Sequence, residues 1–139
     1  MRAGPFLLET GFLVALVNAS DPAHRSCAAT WGGLSGPFVT TEGVLVETAH
    51  MVRRNPAGFS KAWGLLSSVG TVVAAPTRHR FDRAAALMLQ YADVPMDFVD
   101  ATLVSLAEET GVRNVLTLDA RGFDTYRTAD GKKFKRLPV

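Results

Sequence analysis

The chain has 139 residues, 47% of them apolar and 20% charged, and a formal net charge of only +2. That is one domain's length and an ordinary soluble globular composition, and it excludes a polycation. Cys27 is the only cysteine, which excludes an intrachain disulfide and a cysteine-rich zinc site and fits a reduced, cytoplasmic protein.

The first elements are short and apolar. Pro5-Phe6-Leu7-Leu8 reads as a strand ending at Glu9, and Phe12 to Val17 as a buried helix or a second strand. Arg2, this apolar stretch and Val17-Asn18-Ala19 imitate a secretory signal. Glu9 would then sit in the apolar region and cleavage would remove a core strand, so the segment is expected to stay in the fold. No apolar run approaches membrane-spanning length.

Asp21-Pro22 offers an N-cap and a first helical position for a helix through His24 and Trp31 to Gly32-Gly33. Phe38-Val39 is a brief strand. Thr40 or Thr41 caps a helix whose apolar face is Val44, Leu45, Thr48, Met51 and Val52, interrupted at Asn55-Pro56. The next helix covers Phe59 to Val69, with Trp63 and Leu66 inward, and stops at Gly70. Thr71 to Ala75 is β-branched and expected to be a buried strand. Pro76-Thr77 opens a helix to Tyr91. A further helix follows Asp93-Val94-Pro95, with Val99, Leu103, Leu106 and Ala107 on one face at about 100° per residue and Gly111 as its stop. Val115 to Leu118 is a buried strand ending at Asp119. Asp130-Gly131, between Phe123–Arg127 and Phe134–Leu137, signals a hairpin.

Strands alternate with helices, and the strands are continuous apolar runs. That pattern predicts an α/β fold with a mainly parallel sheet covered on both faces. No Gly-x-Gly-x-x-Gly follows a strand and no Walker-type loop is present, so nucleotide-cofactor versions of this architecture are unsupported.

In such sheets functional groups gather at the carboxyl ends of the strands. Two apolar strands here end in an acid, Glu9 and Asp119. Asp100 lies in the first turn of the helix preceding the second of these strands, and Glu47 borders the apolar face of its own helix. Four converging carboxylates repel one another unless a cation joins them. An all-oxygen set suits magnesium or manganese, which can activate a water for phosphodiester cleavage. Each acid also has a local account. Asp97 fits a helix N-cap, with Asp100 favoured by the helix dipole. Glu47 can pair with His50 or Arg54. Asp119 can cap its turn, and Glu9 can cap Gly11-Phe12. His24, His50 and His79 have no ligand spacing, and no serine sits in an acyl-transfer motif. The stretch Arg121 to Arg136 is locally basic, and Arg121, Lys132, Lys133, Lys135 and Arg136 favour a phosphate-bearing partner; the alternative is a solvated strand pair.

Four segments in order carry a resemblance: Leu8-Glu9-Thr10-Gly11; Thr40 through Ala49, with Glu47; Pro95 through Glu108, with Asp97 and Asp100; and Leu116-Thr117-Leu118-Asp119-Ala120-Arg121-Gly122-Phe123. Together they resemble PIN-domain proteins, specifically VapC-like toxins of bacterial toxin–antitoxin pairs, over nearly the whole chain. The resemblance implies a single three-layer α/β/α domain over residues 1–139 that hydrolyses RNA with magnesium or manganese. It maps the family acids onto Glu9, Glu47, Asp100 and Asp119, the metal falling to Glu9, Asp100 and Asp119. It makes Asp97 an additional acid and places Thr10 and Thr117 as small polar neighbours. It also implies a homodimer and a small antitoxin that inserts near the pocket. Glu9 departs from the family's Asp. One methylene displaces the carboxylate by more than about 1 Å, a scale to which catalytic positioning is sensitive. The alternative is therefore a catalytically weakened PIN domain that binds RNA or a protein. A phosphotransfer protein would need an Asp-x-Asp at the first strand, which is absent.

Overall fold

Phe6, Leu7 and Leu8 are all fully buried. Side chains of a strand alternate between faces, so three consecutive buried residues require cover on both sides of the sheet. The computed structural model, which describes residues 1–139, supplies that cover. These three residues form strand β2, which follows the short β1 (Arg2–Ala3). Helices α1 (Thr10–Val17) and α2 (His24–Gly32) lead to β3 (Leu34–Ser35) and β4 (Phe38–Thr41). Then come α3 (Glu42–Met51), α4 (Gly58–Ser68), β5 (Val72–Ala74), α5 (Arg78–Gln90) and α6 (Phe98–Thr110). The chain closes with β6 (Asn114–Leu116), α7 (Ala120–Thr125) and β7 (Lys135–Leu137).

The main sheet has the order β5-β4-β2-β6-β7, every pair parallel. Phe6 pairs with Phe38 and Leu7 with Val115, so β2 is the central strand. A two-residue pair, β1 with β3, continues the β2 and β4 edge. The core joins these strands to Phe12, Leu66, Leu87, Leu103, Val104 and Phe123 in one cluster. Phe38 stacks between Trp31 and Phe6, at 4.6 and 5.8 Å between ring centres. The layering is the α/β/α arrangement that the continuous apolar strands predict.

Local chemistry explains the boundaries. Thr41 caps α3, Thr77 caps α5 and Asp97 caps α6, each side chain accepting a backbone N–H of the first turn. Gly111 ends α6 at φ +76°, a left-handed position that favours glycine. Helices α5 and α6 are joined by Arg83, whose guanidinium grips Glu108 at 2.7 and 2.9 Å, and by Arg80 on Glu109 at 3.0 Å.

Of the two alternatives for Phe12–Val17, the helix is the one observed. Several other expectations are corrected. The helix expected from Asp21 begins at His24; the Asp21 carboxylate instead accepts the Ala23 N–H at 2.9 Å and closes a local turn. Trp63 is 41% exposed, and Ala62 and Leu66 are the inward residues of α4. Met51 is exposed as well. Val72 lies on an edge strand and is exposed, where a buried strand was expected. The strand before Asp119 ends at Leu116, and Leu118 is exposed. The expected terminal hairpin does not form. Its first arm is α7, its second is β7 running parallel to β6, and only one antiparallel bridge, Arg127 with Lys133, links the two sides of the turn. Phe123 and Tyr126 bury their rings against each other and Phe134, a gain that a free hairpin would forgo.

Candidate active site

From β2 the chain builds the sheet in two directions. Strands β4 and β5 are added on one side, β6 and β7 on the other. The switch falls between β2 and β6, and the crevice beyond the carboxyl ends at such a point is where open parallel sheets bind ligands. Glu9 stands there, its backbone N–H donating to the Leu116 carbonyl at 3.0 Å. Asp119 follows β6, held by the Thr117 hydroxyl, which accepts the Asp119 N–H at 2.9 Å.

Of the helices that begin at this edge, three are capped by an acid. Glu9 accepts from the N–H of Gly11 at 2.8 Å and of Phe12 at 3.4 Å. Asp97 accepts from Asp100 N–H at 2.8 Å, and Asp119 from Gly122 N–H at 2.9 Å. The capping account of Glu9, Asp97 and Asp119 is therefore correct, and it coexists with convergence, because the positive ends of helices favour carboxylates there. Asp100 lies in the first turn of α6, and its carboxylate accepts the Tyr126 hydroxyl at 3.2 Å.

The electrostatics show that these groups share one region. Burial pushes the Glu9 carboxyl up to about 7, with the Asp119 charge adding to the rise. The N–H groups of Gly11 and Phe12 and the Thr117 hydroxyl oppose it. Burial likewise pushes Asp100 up to about 7, followed by repulsion from Asp97, Glu9 and Asp119; the Tyr126 hydroxyl pulls the other way. The same burial, and the Asp100 charge, push the Tyr126 hydroxyl up. Neighbouring carboxylates that hold their protons to neutral pH form the environment a cation would relieve.

A metal ion fits this set by its chemistry. The donors are all oxygen, and the buried Thr10 hydroxyl beside Glu9 has no hydrogen-bond partner within the chain. As placed, no three acids surround one point closely enough to hold an ion. Glu9 and Asp119 each spend a carboxylate oxygen on their own helix.

Glu47 has no side-chain hydrogen bond or ion pair that ties it to these acids. It is half-buried on α3, makes no ion pair with Arg54 or His50, and is not among the charges acting on Glu9 or Asp100. His50 instead meets the Arg53 guanidinium at 3.4 Å. The basic stretch is divided. Arg121 is exposed in the first turn of α7, directly after Asp119. Arg136 is held by Asp124 at 2.6 and 3.0 Å. Lys132 and Lys133 precede β7, and Lys135 pairs with Asn114 at the start of β6, so these three lie toward the amino end of the sheet. Lys132 is 3.8 Å from Asp130, with both side chains exposed.

Two residues had no role in the sequence reading. Tyr126, 1% exposed, reaches across 26 positions to Asp100. Gly122 is needed for space, because a Cβ there would collide with the Asp119 carboxylate and come within 2.9 Å of the Tyr126 hydroxyl.

Known proteins share this organisation. The ribonuclease VapC26 of Mycobacterium tuberculosis is 25% identical over 134 residues, 95% of this chain and 99% of that protein. The 23S rRNA-specific endonuclease VapC20 of the same species is 25% identical over 126 residues, 86% of this chain and 96% of that one. The crystal structure of the latter, described as a sarcin–ricin loop cleaving toxin, superposes with a TM-score of 0.76 at 24% identity, covering 83% of this chain and 90% of that chain. The PIN domain family matches residues 6–129, which takes in β2, all seven helices and every acid at the carboxyl edge. On that match, and with the acids at the switch point of a parallel sheet, the chain belongs to the PIN domain family.

Proposed function

We propose that the chain is a metal-dependent endoribonuclease, the toxin of a type II toxin–antitoxin pair, acting as one domain over residues 1–139. The observation that carries this reading is that Glu9, which follows β2, Asp119, which follows β6, and Asp100, in the first turn of α6, stand around the carboxyl edge at the switch point, near enough for Asp100 to be repelled by the other two. In this reading Glu9, Asp100 and Asp119 hold magnesium or manganese. When bound, such an ion would supply water activation and charge relief for phosphodiester cleavage. The chain's own residues do the rest. Tyr126 fixes the Asp100 carboxylate and Thr117 holds Asp119. Asp97 adds negative charge, and Thr10 keeps a hydroxyl beside Glu9 that has no partner within the chain. Glu47 takes the fourth acidic position, at the margin. Arg121, Lys132, Lys133, Lys135 and Arg136 add phosphate affinity without reading bases. The partners are RNA, a small antitoxin that covers the acidic edge and a second copy in a homodimer, all in the cytoplasm. No helix is long and apolar enough to cross a membrane.

The test is cleavage of a mixed RNA pool by the purified chain with manganese, with EDTA, and with Asp100→Asn in place of wild type. Manganese-dependent cleavage that is lost in Asp100→Asn is the expected result. One observation favours a second reading, a PIN module that binds without cutting. Glu9 is longer than the family's Asp and is folded back onto Gly11 and Phe12. RNA binding without cleavage, in wild type and in Glu9→Asp alike, would establish that reading instead.

A further inference from the structure

A hollow of about 120 Å³ opens on the carboxyl edge of the sheet, beside the acids but not among them. It lies at the ends of β4 and β5 and the first turns of α5 and α6, with Thr41, Ala74, Phe81, Phe98 and Thr102 in its wall and Arg80 among its lining. The rings of Phe81 and Phe98 stack at 5.6 Å and 16°, yet they remain 50% and 38% exposed. Single exposed aromatics are common on surfaces, but a stacked pair walling a cavity makes a flat apolar platform.

The polar groups around it are few: two threonine hydroxyls, the Arg80 guanidinium and, at the rim, the exposed Glu42 carboxylate. The Thr41 and Thr102 hydroxyls meet at 2.9 Å. Thr102 donates its proton to the Val99 carbonyl at 2.6 Å, so Thr41 donates to Thr102; Thr41 itself accepts the Val44 N–H, which leaves each oxygen one further lone pair. Arg80 is held by Glu109 and by the Ala75 carbonyl at 2.6 Å, which sets a guanidinium in place beside the hollow. Phe98 directly follows the cap Asp97 and precedes Asp100 by two residues, so hollow and acids share one helix turn.

We propose that this hollow is a nucleobase subsite. An unpaired base of the RNA strand, next to the phosphate held at the acids, stacks on the outer face of the Phe81–Phe98 pair while Arg80 faces a neighbouring phosphate. This rests on the ribonuclease reading above. Single-stranded RNA is recognised by such parts: an aromatic face for the base, hydrogen-bond acceptors for its amino group and a cation for the backbone. The two Phe rings are too close for a base to enter between them, so the platform is their shared outer surface. The competing occupant is a second copy of this chain, which could cover Phe81 together with the exposed Leu89 two turns further along α5.

The experiment measures anisotropy of labelled short oligoadenylate and of an abasic ribose-phosphate strand of equal length. Binding is measured in EDTA, so that no cleavage is needed, for wild type, Phe98→Ala and Phe98→Trp. Phe98→Ala should weaken oligoadenylate binding about tenfold and leave the abasic strand unchanged, and Phe98→Trp should retain wild-type binding. If Phe98→Ala unfolds, Phe81→Ala takes its place. Equal losses on both strands, or no loss on oligoadenylate, overturn the subsite. If light scattering then shows that the variant has lost a dimer, the second copy is the occupant. Base-dependent binding in a chain that cleaves nothing with manganese would keep the subsite and end the ribonuclease reading.

Discussion

Asp100→Asn should stabilise the metal-free fold as it removes activity. Asp100 holds its proton up to about 7, against an ordinary value of 3.8. A folded-state value raised in this way means that the fold disfavours the ionised carboxyl. Below about pH 4 folded and unfolded chains are both protonated and nothing is lost. Between about 4 and 7 the unfolded chain releases a proton that the fold retains, so stability falls by about 1.4 kcal/mol per pH unit. The loss is complete just above 7, on the order of a few kcal/mol shared between Asp100 and the acids that repel it. Asparagine has no proton to lose and can still accept the Tyr126 hydroxyl. The variant's advantage in EDTA should therefore be small at pH 4, grow up to about pH 7 and level off. Urea unfolding at half-unit steps from pH 4 to 8 measures it. With slopes of about 1–3 kcal/mol per molar, the midpoint should move by more than about 1 M at pH 8. A pH-independent difference between the proteins, or a variant less stable at pH 8, would refute the argument that Asp100 is an unrelieved buried charge.

The remaining expectations concern the neighbours of this group. Glu9→Asp should cleave RNA faster than wild type, as the shorter side chain returns the carboxylate to the family length; the readout is initial rate on an RNA pool with manganese. Gly122→Ala should lower the cleavage rate at least tenfold and cost about 1–3 kcal/mol of stability, because the added methyl displaces the Asp119 carboxylate and overpacks the start of α7. Replacing Lys132 and Lys133 with Ala should weaken RNA binding similarly across sequences and flatten its salt dependence; an unchanged slope would mean that these lysines are only solvated.

What the sequence showed depended on how local each determinant is. Helix α6 is readable because its cap Asp97, its apolar face and its stop Gly111 all lie within fifteen residues. The hairpin was misread because Asp130-Gly131 is a local turn signal, whereas the choice between β7 pairing with α7's segment or with β6 is made by distant partners. The φ of +80° at Gly131 shows that the turn itself was read correctly. Val72 and Leu7 look alike in sequence, and only the sheet order makes one an edge and the other a centre. The acids were legible as strand and helix ends. Their support was not, because Tyr126 touches Asp100 only after α7 has turned back against α6.

The position of β2 also governs when the carboxyl edge comes into being. Its flanking strand β6, and Asp119 beyond it, lie almost a whole chain length away, and the Thr117 N–H finds its acceptor only at Leu137. Loop closure on that scale comes late and carries its entropic cost before any contact rewards it. A chain emerging from the ribosome can lay down β2, β4 and β5 with their helices while Glu9 still lacks Asp100 and Asp119. The acidic edge is completed only when the final strand docks. A chain that has not yet docked β6 and β7 therefore has Glu9 in place without the rest of the acidic edge.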